Sequence, residues 1–292
     1  MNPDMLEMFY YYLHEREKIR IRKEEGHNHL TDDPILQKYK FTNILRSNDR
    51  TTRWVKSNWY DPNRDKPLDV QTLNCGIFRY FGTSDFAEAI GYQTDWNPQH
   101  LVDTAAARIA AGKKVFTGAY IITNGGISAP KQNVVVGNYL QPLREAIPEI
   151  LRVAEKTNRW ENVAEVVRKV PGMGAFMTKE FLLDVMLTPV LENVEDKLTW
   201  SPVGPGAIRG LNRISGRPVD APLTQKKGLD EMQAIMGWLV KTGMAYHMPK
   251  IGVDFGVTDV QFSLCEFDKY NRVKNGEGRP RSMYKPTGKA LP

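Results

Sequence analysis

The chain has 292 residues, 41% hydrophobic and 25% charged, with a net charge of +6. These values exclude a low-complexity or disordered chain and suit one large or two modest globular domains. No run of about 18 apolar residues occurs, so no helical membrane span is expected. Two cysteines, Cys75 and Cys265, give neither a disulfide framework nor a zinc set, and a reducing, cytoplasmic home follows as the expectation.

The charge is uneven. From Lys269 onward seven basic residues face one acid, Glu277, so residues 1–268 sum to zero. Residues 269–292 therefore read as a basic, Gly- and Pro-rich arm, either for a polyanion or as a solvated tail. Residues 1–268 read as one helical domain.

In chain order, residues 3–25 predict a long helix whose apolar positions are Tyr10, Tyr11, Leu13, Ile19 and Ile21 among dense charges. A loop with His27 and His29 follows, without a thiol or carboxylate at metal-ligand spacing. Residues 34–60 predict helix with a break near Ser47 and Asn48. There Thr42, Asn43, Arg46, Asp49, Arg50 and Arg53 recur at spacings of three and four, making a stripe for a pocket or a phosphate, or a solvated face. Residues 68–91 predict two helices, the first carrying Arg79 amid aromatics, the second capped by Thr83. Asn97, Pro98 and Gly112 bound another helix. VFTGAYIITNGG is β-branched and aromatic: a short strand, a hairpin or an extended loop. Helices then lead to a hairpin at 165–186. Later come an ENVEDKLTWSP loop, a helix over 203–214, a linker, a Met-rich helix over 224–247 and the final segment.

Two glycine-rich stretches stand out. KVPGMGAFMTKEFLLDVM (169–186) reads as helix end, tight turn and helix start, and glycine permits the positive φ of such a turn. Gly172 and Gly174 would leave room for a DNA phosphate at the new helix's N–H groups, with Lys179 beside it. The stretch resembles the helix-hairpin-helix element of base-excision DNA glycosylases. VGPGAIRGLNRI (203–214) is similar to the glycosylase segment after that hairpin, with Val203, Arg209 and Arg213 matching. Gly204 stands where the catalytic aspartate would be, and Phe176 where bifunctional members carry lysine. Gly204 and Gly206 would face DNA. The implied fold is mainly α, a glycosylase-like helical fold with at most a short β-hairpin.

With FTNILRSNDRTTRW, FRYFGT, AYI and CEFDKYNRVKNGEGRPR, these stretches resemble the phage α-glutamyl/putrescinyl thymine pyrophosphorylase (amino acid:DNA transferase) family. That family's fold module is also named the helical domain of 5-hydroxymethyluracil DNA kinases. The resemblance runs from about Phe9 to Tyr284. It implies that pyrophosphate on a 5-hydroxymethyluracil base in double-stranded DNA is replaced by the amine of an amino acid or polyamine. A DNA kinase would be a partner, and an infected host's cytoplasm the location.

That chemistry needs cations for pyrophosphate, a base for the amine and a grip on DNA. Arg46, Arg50, Arg209, Arg213, Lys269 and Arg272 are the candidates for pyrophosphate. Glu266, Asp268, Asp184 and Asp49 are the candidates for the base. Arg279 and Arg281 join the glycines and Lys179 as DNA contacts. No cofactor is called for; Mg²⁺ bridging the pyrophosphate is compatible, but no carboxylate cluster compels it. Two other readings stay open: a non-catalytic helical module associated with a DNA kinase, and a glycosylase with a non-standard acid.

Overall fold

The computed structural model describes residues 1–243, 255–280 and 283–284. The fold is mainly helical, and the described residues contain no strand; the only β pairing among them is an isolated bridge between Tyr39 and Met283. Contacts divide the chain into two compact units, one of residues 1–49 and 198–292, the other of residues 50–197. The sequence reading had placed 1–268 in a single domain.

The first unit is built from α1 (Pro3–Glu24), α2 (Pro34–Lys38), α11 (Pro205–Ile214), α12 (Gln225–Lys241) and α13 (Val257–Lys274). Asn2 caps α1 by accepting from Met5 N–H, and Asp33 caps α2 by accepting from Ile35 and Leu36, each removing an orphan donor. The buried face of α1 is Leu6, Phe9, Tyr12, Leu13 and Ile19, while Tyr11 is exposed. These pack with Leu211, Leu264, Phe267 and Tyr270 in one apolar core. Helix α13 is buried on nearly every face; residues 269–274, expected to begin a free arm, are its last turns.

Residues 39–45 are not helical, contrary to expectation. Tyr39 and Phe41 are buried while Lys40 and Thr42 are exposed, the two-residue alternation of an extended chain. The rings of Tyr12, Phe41 and Tyr270 lie within 6.3 Å of one another. Burying Tyr39 and Phe41 outweighs the helical spacing of the polar residues.

The second unit holds α3 (Arg50–Val55), α4 (Leu68–Phe81), α5 (Ser84–Ile90), α6 (Pro98–Ala110), α7 (Lys131–Val134), α8 (Gln141–Thr157), α9 (Trp160–Val167) and α10 (Ala175–Val185). Between α7 and α8 the helix widens to π geometry over Val135–Leu140. Helix α4 is central, buried from Gln71 to Phe81. The β-branched stretch at 115–130 forms no strand. It is a loop tied to helices: Thr117 N–H donates to Phe81 O at 2.7 Å, and the Tyr139 hydroxyl donates to Thr123 O at 2.8 Å.

Candidate functional site

In the first unit, helix α13 presents two distinct faces to α11 and to residues 40–49. One face, Gln261, Leu264, Cys265 and Asp268, meets α11. A Cβ on Gly206 would lie 2.8 Å from Cys265 Sγ, and one on Gly210 would lie 2.9 Å from the Leu264 carbonyl carbon. A Cβ on Gly204 would lie 3.1 Å from Gln261 Nε2. These glycines therefore let two helices touch, and Gly204 and Gly206 turn toward α13 rather than toward a ligand. Gly204 and Gly206, expected to face DNA, lie against α13.

The close approach brings arginines onto one carboxylate. Arg213 Nε donates to Asp268 Oδ1 at 2.7 Å, and Arg209 Nε to Oδ2 at 3.1 Å. Arg272 Nε stands 3.3 Å from Oδ2. Asp268 is 3% exposed, so all three cations converge on a nearly dry carboxylate. Beyond it, Glu277 pairs with Arg213 through both guanidinium NH2 groups, and Asp220 pairs with Arg209. Burial opposes the charge on Arg213, and the carboxylates of Glu277 and Asp268 more than offset it, so its pKa is raised. The contact with Arg213, helped by Asn275, holds Glu277 down at about 2.

The other face of α13 meets residues 40–49. Glu266 accepts from Thr42 N–H at 3.0 Å and pairs with Lys269 at 2.5 Å. Lys269 also donates to Lys40 O and lies 4.5 Å from the centre of the Phe41 ring. Arg46 lies over Phe262 at 5.0 Å and 3.9 Å from Asp49. Burial raises the pKa of Asp49 despite Arg46 and the Asn43 N–H, which favours proton acceptance over permanent pairing. Arg16 organises the segment, donating to Thr42 O, Phe41 O and Asn43 Oδ1. In the sequence Arg16 is only one of the dense charges of residues 3–25, because its partners lie 25–27 residues on.

The predicted residues thus separate. Arg209, Arg213, Arg272 and Asp268 gather on one side of α13; Arg46, Asp49, Glu266 and Lys269 gather on the other. Arg50 is an exposed residue at the start of α3 in the second unit. Arg279 is exposed and, with Lys38, Tyr39, Val273, Gly276 and Gly278, lines an open cleft. Arg281 lies outside the described residues.

In the second unit, Asp184 and Lys179 are buried. Arg79 Nε donates to Asp184 at 2.9 Å and Arg79 NH1 to Glu180 at 3.1 Å; Lys179 stands 3.6 Å from Glu180. All four side chains are at most 6% exposed. Lys179, expected on the surface as a DNA contact, is instead turned into this cluster. The desolvation of Arg79 is outweighed by Asp184 and Glu180, and its pKa is raised well above the usual value. At the turn before α10, Gly172 has φ +78°, and a Cβ there would lie 2.5 Å from the Tyr139 ring. Its glycine is required by conformation and by Tyr139 together. Gly174, the residue before α10, has open space around it.

No group of three or more His, Cys, Asp or Glu suited to a metal occurs among the described residues. No helix there is long and apolar enough to cross a membrane.

Fold and geometry define a mainly helical protein with guanidinium groups concentrated along one helix seam. The chain belongs to the family of the 5-hmdU DNA kinase helical domain, whose model matches residues 3–279. It is similar to the 5-hmdU DNA kinase of Bacillus phage SP10, 28% identical over 90% of this chain and 44% of that kinase. The chain thus spans less than half the length of that relative. No solved structure matches it.

Proposed function

We propose that the chain modifies DNA bases of the 5-hydroxymethyluracil type, displacing pyrophosphate from the 5-methylene carbon by an amine. The observation that carries this reading is the convergence of two sequence blocks. VGPGAIRGLNRI and CEFDKYNRVKNGEGRPR are some fifty residues apart, yet they put Arg209, Arg213 and Arg272 on Asp268. Guanidinium groups suit a polyphosphate through paired N–H donors. Glu277 and Asp220 occupy two of them in this structure, so the pyrophosphate would exchange with those carboxylates.

In the reaction the amine nitrogen's lone pair forms the C–N bond, the C–O bond to pyrophosphate breaks, and the ammonium proton passes to a carboxylate. Asp49, with its raised pKa, is the best-tuned of the predicted acceptors. Glu266 and Asp268 are held by cations, and Asp184 is held by Arg79 in the other unit. The base would be turned out of the stack, at a cost of a few kcal/mol. The turn before α10 is proposed as a DNA grip of helix-hairpin-helix type, and the chain past Lys274 as a further cationic contact.

The test is incubation of the full chain with pyrophosphorylated 5-hydroxymethyluracil DNA and mixed amino acids and polyamines, followed by nucleoside mass analysis. A nucleoside heavier by the amine supports transfer. An abasic site supports a glycosylase. Binding without covalent change refutes catalysis. That last outcome fits a second reading, a helical DNA-binding module of a kinase, favoured by the match to less than half of the phage relative.

A further inference from the structure

The second unit carries an exposed apolar prong. Phe176, the second residue of α10, is 46% exposed, and Ile121 is 74% exposed, the most of any large apolar side chain among the described residues. The Phe176 ring is not loose. Tyr120 meets it edge-on, with centroids 5.3 Å apart at 64°, and Lys179 Nζ stands 5.7 Å from its centre. The Tyr120 hydroxyl in turn donates to Arg79 O, and Arg79 is fixed by Asp184 and Glu180. A buried ion cluster thus holds the base of an exposed ring, which gives that costly burial a purpose.

The two segments that carry the prong are basic in sequence. Residues 104–144 hold Arg108, Lys113, Lys114, Lys131 and Arg144 and no acid. Residues 166–179 hold Arg168 and Lys169, besides the buried Lys179, and no acid, although the whole chain has 34 acids in 292 residues. The two segments meet through Tyr120 and Phe176, and again where Tyr139 packs on Gly172. A rigid apolar tip carried on two basic segments is complementary to one polymer, a polyanion with an apolar interior: stacked duplex DNA.

We infer that Phe176, with Ile121 next in chain to its Tyr120 support, is a wedge that enters the base stack of duplex DNA and fills the space left by a displaced base. This rests on the DNA-modifying reading and adds the residues that open the duplex. Aromatic stacking on a base is of the same order as the cost of unstacking one, so one ring and one aliphatic tip are adequate for the work.

The test uses the full chain and a 5-hydroxymethyluracil duplex with 2-aminopurine beside the modified base. Binding is read by anisotropy and unstacking by 2-aminopurine fluorescence. Wild type should bind and raise the fluorescence. Phe176→Ala should still bind, weakened roughly tenfold, and lose most of the rise; Phe176→Trp should keep it. Tyr120→Phe, which frees the ring's support, should fall between. Both mutated residues of the wedge are exposed, so an unchanged thermal midpoint for Phe176→Ala and Ile121→Ala certifies the fold. A full fluorescence rise from the Phe176→Ala, Ile121→Ala double variant overturns the wedge, and so does wild-type binding with no rise; the tip would then suit a protein partner. No duplex binding at low salt overturns the wedge and the DNA-modifying reading together.

Discussion

Replacing Gly210 by alanine tests whether the seam between α11 and α13 is set by backbone contact. A Cβ at Gly210 would come 2.9 Å from the Leu264 carbonyl carbon, 3.0 Å from its Cβ, and closer still to the carbonyl oxygen. Carbon atoms in good contact sit about 3.5–4.0 Å apart, so the helices must part by roughly 0.5–1 Å. The obstacle is helix backbone, which cannot rotate aside as a side chain would. Overpacking costs about 1–3 kcal/mol, and a backbone obstacle argues for the upper end. Alanine returns about 1 kcal/mol through its helix propensity. The net loss should be about 2 kcal/mol, or roughly 4–8 °C in thermal midpoint for a unit of this size. Gly237→Ala is the matched control, since Gly237 lies inside α12 with nothing within 4 Å of a built Cβ; it should gain up to about 1 kcal/mol. Scanning calorimetry on the two variants decides. If both are stabilised alike, propensity alone governs the seam and the packing argument for Gly206 and Gly210 fails. If Gly210→Ala is destabilised as expected, it should also lose transfer activity, because Arg209 and Arg213 would be displaced from Asp268.

Three further outcomes follow from the charged groups. Arg79→Met strands the carboxylates of Asp184 and Glu180 in the core and should cost about 3–5 kcal/mol; adding Asp184→Leu should recover part of it in a denaturant titration, and a full-size loss in the double variant would refute the pairing argument. Glu277 has a folded pKa of about 2, depressed from 4.5, so it contributes stability that is present above pH 4.5 and lost as pH falls toward 2. Wild type should therefore exceed Glu277→Gln in midpoint at neutral pH, with the gap closing on acidification; because the group is 40% exposed, the gap should be small and shrink with salt. Asp49 is shifted the other way, raised by burial, so its charged form is penalised above its folded pKa. Asp49→Asn should leave the protein at least as stable at pH 7 while lowering transfer turnover and removing the acid limb of its pH profile; an unchanged profile would assign the base elsewhere.

How much of this could be read beforehand depended on where each residue's partner lay in the chain. The helices bounded by local signals were legible: Thr83 and Asn97 cap their own N–H groups within three residues, and a cap needs nothing distant. The segment 39–45 was not, because the polar stripe Thr42, Asn43, Arg46, Asp49 has helical spacing, and the rings that override it, Tyr12 and Tyr270, sit far away in sequence. The glycines of 203–214 show the same limit more sharply. Gly206 and Gly210 recur at a four-residue interval next to Arg209 and Arg213 at the same interval, so the sequence displays two neighbouring stripes on one helix. A small-residue stripe admits either a ligand or another helix, and the stripe itself does not contain the difference. The helix that settles it, α13, begins more than forty residues later. It carries Gln261, Leu264, Cys265 and Asp268 on one face at spacings of three and four. Had the two intervals been aligned against each other, small against large and arginine against aspartate, the seam would have been legible. Glu277 supplies the remaining signal: the only acid among the tail's seven cations is the one that Arg213 holds, which is what a lone complementary charge in a uniform field should do.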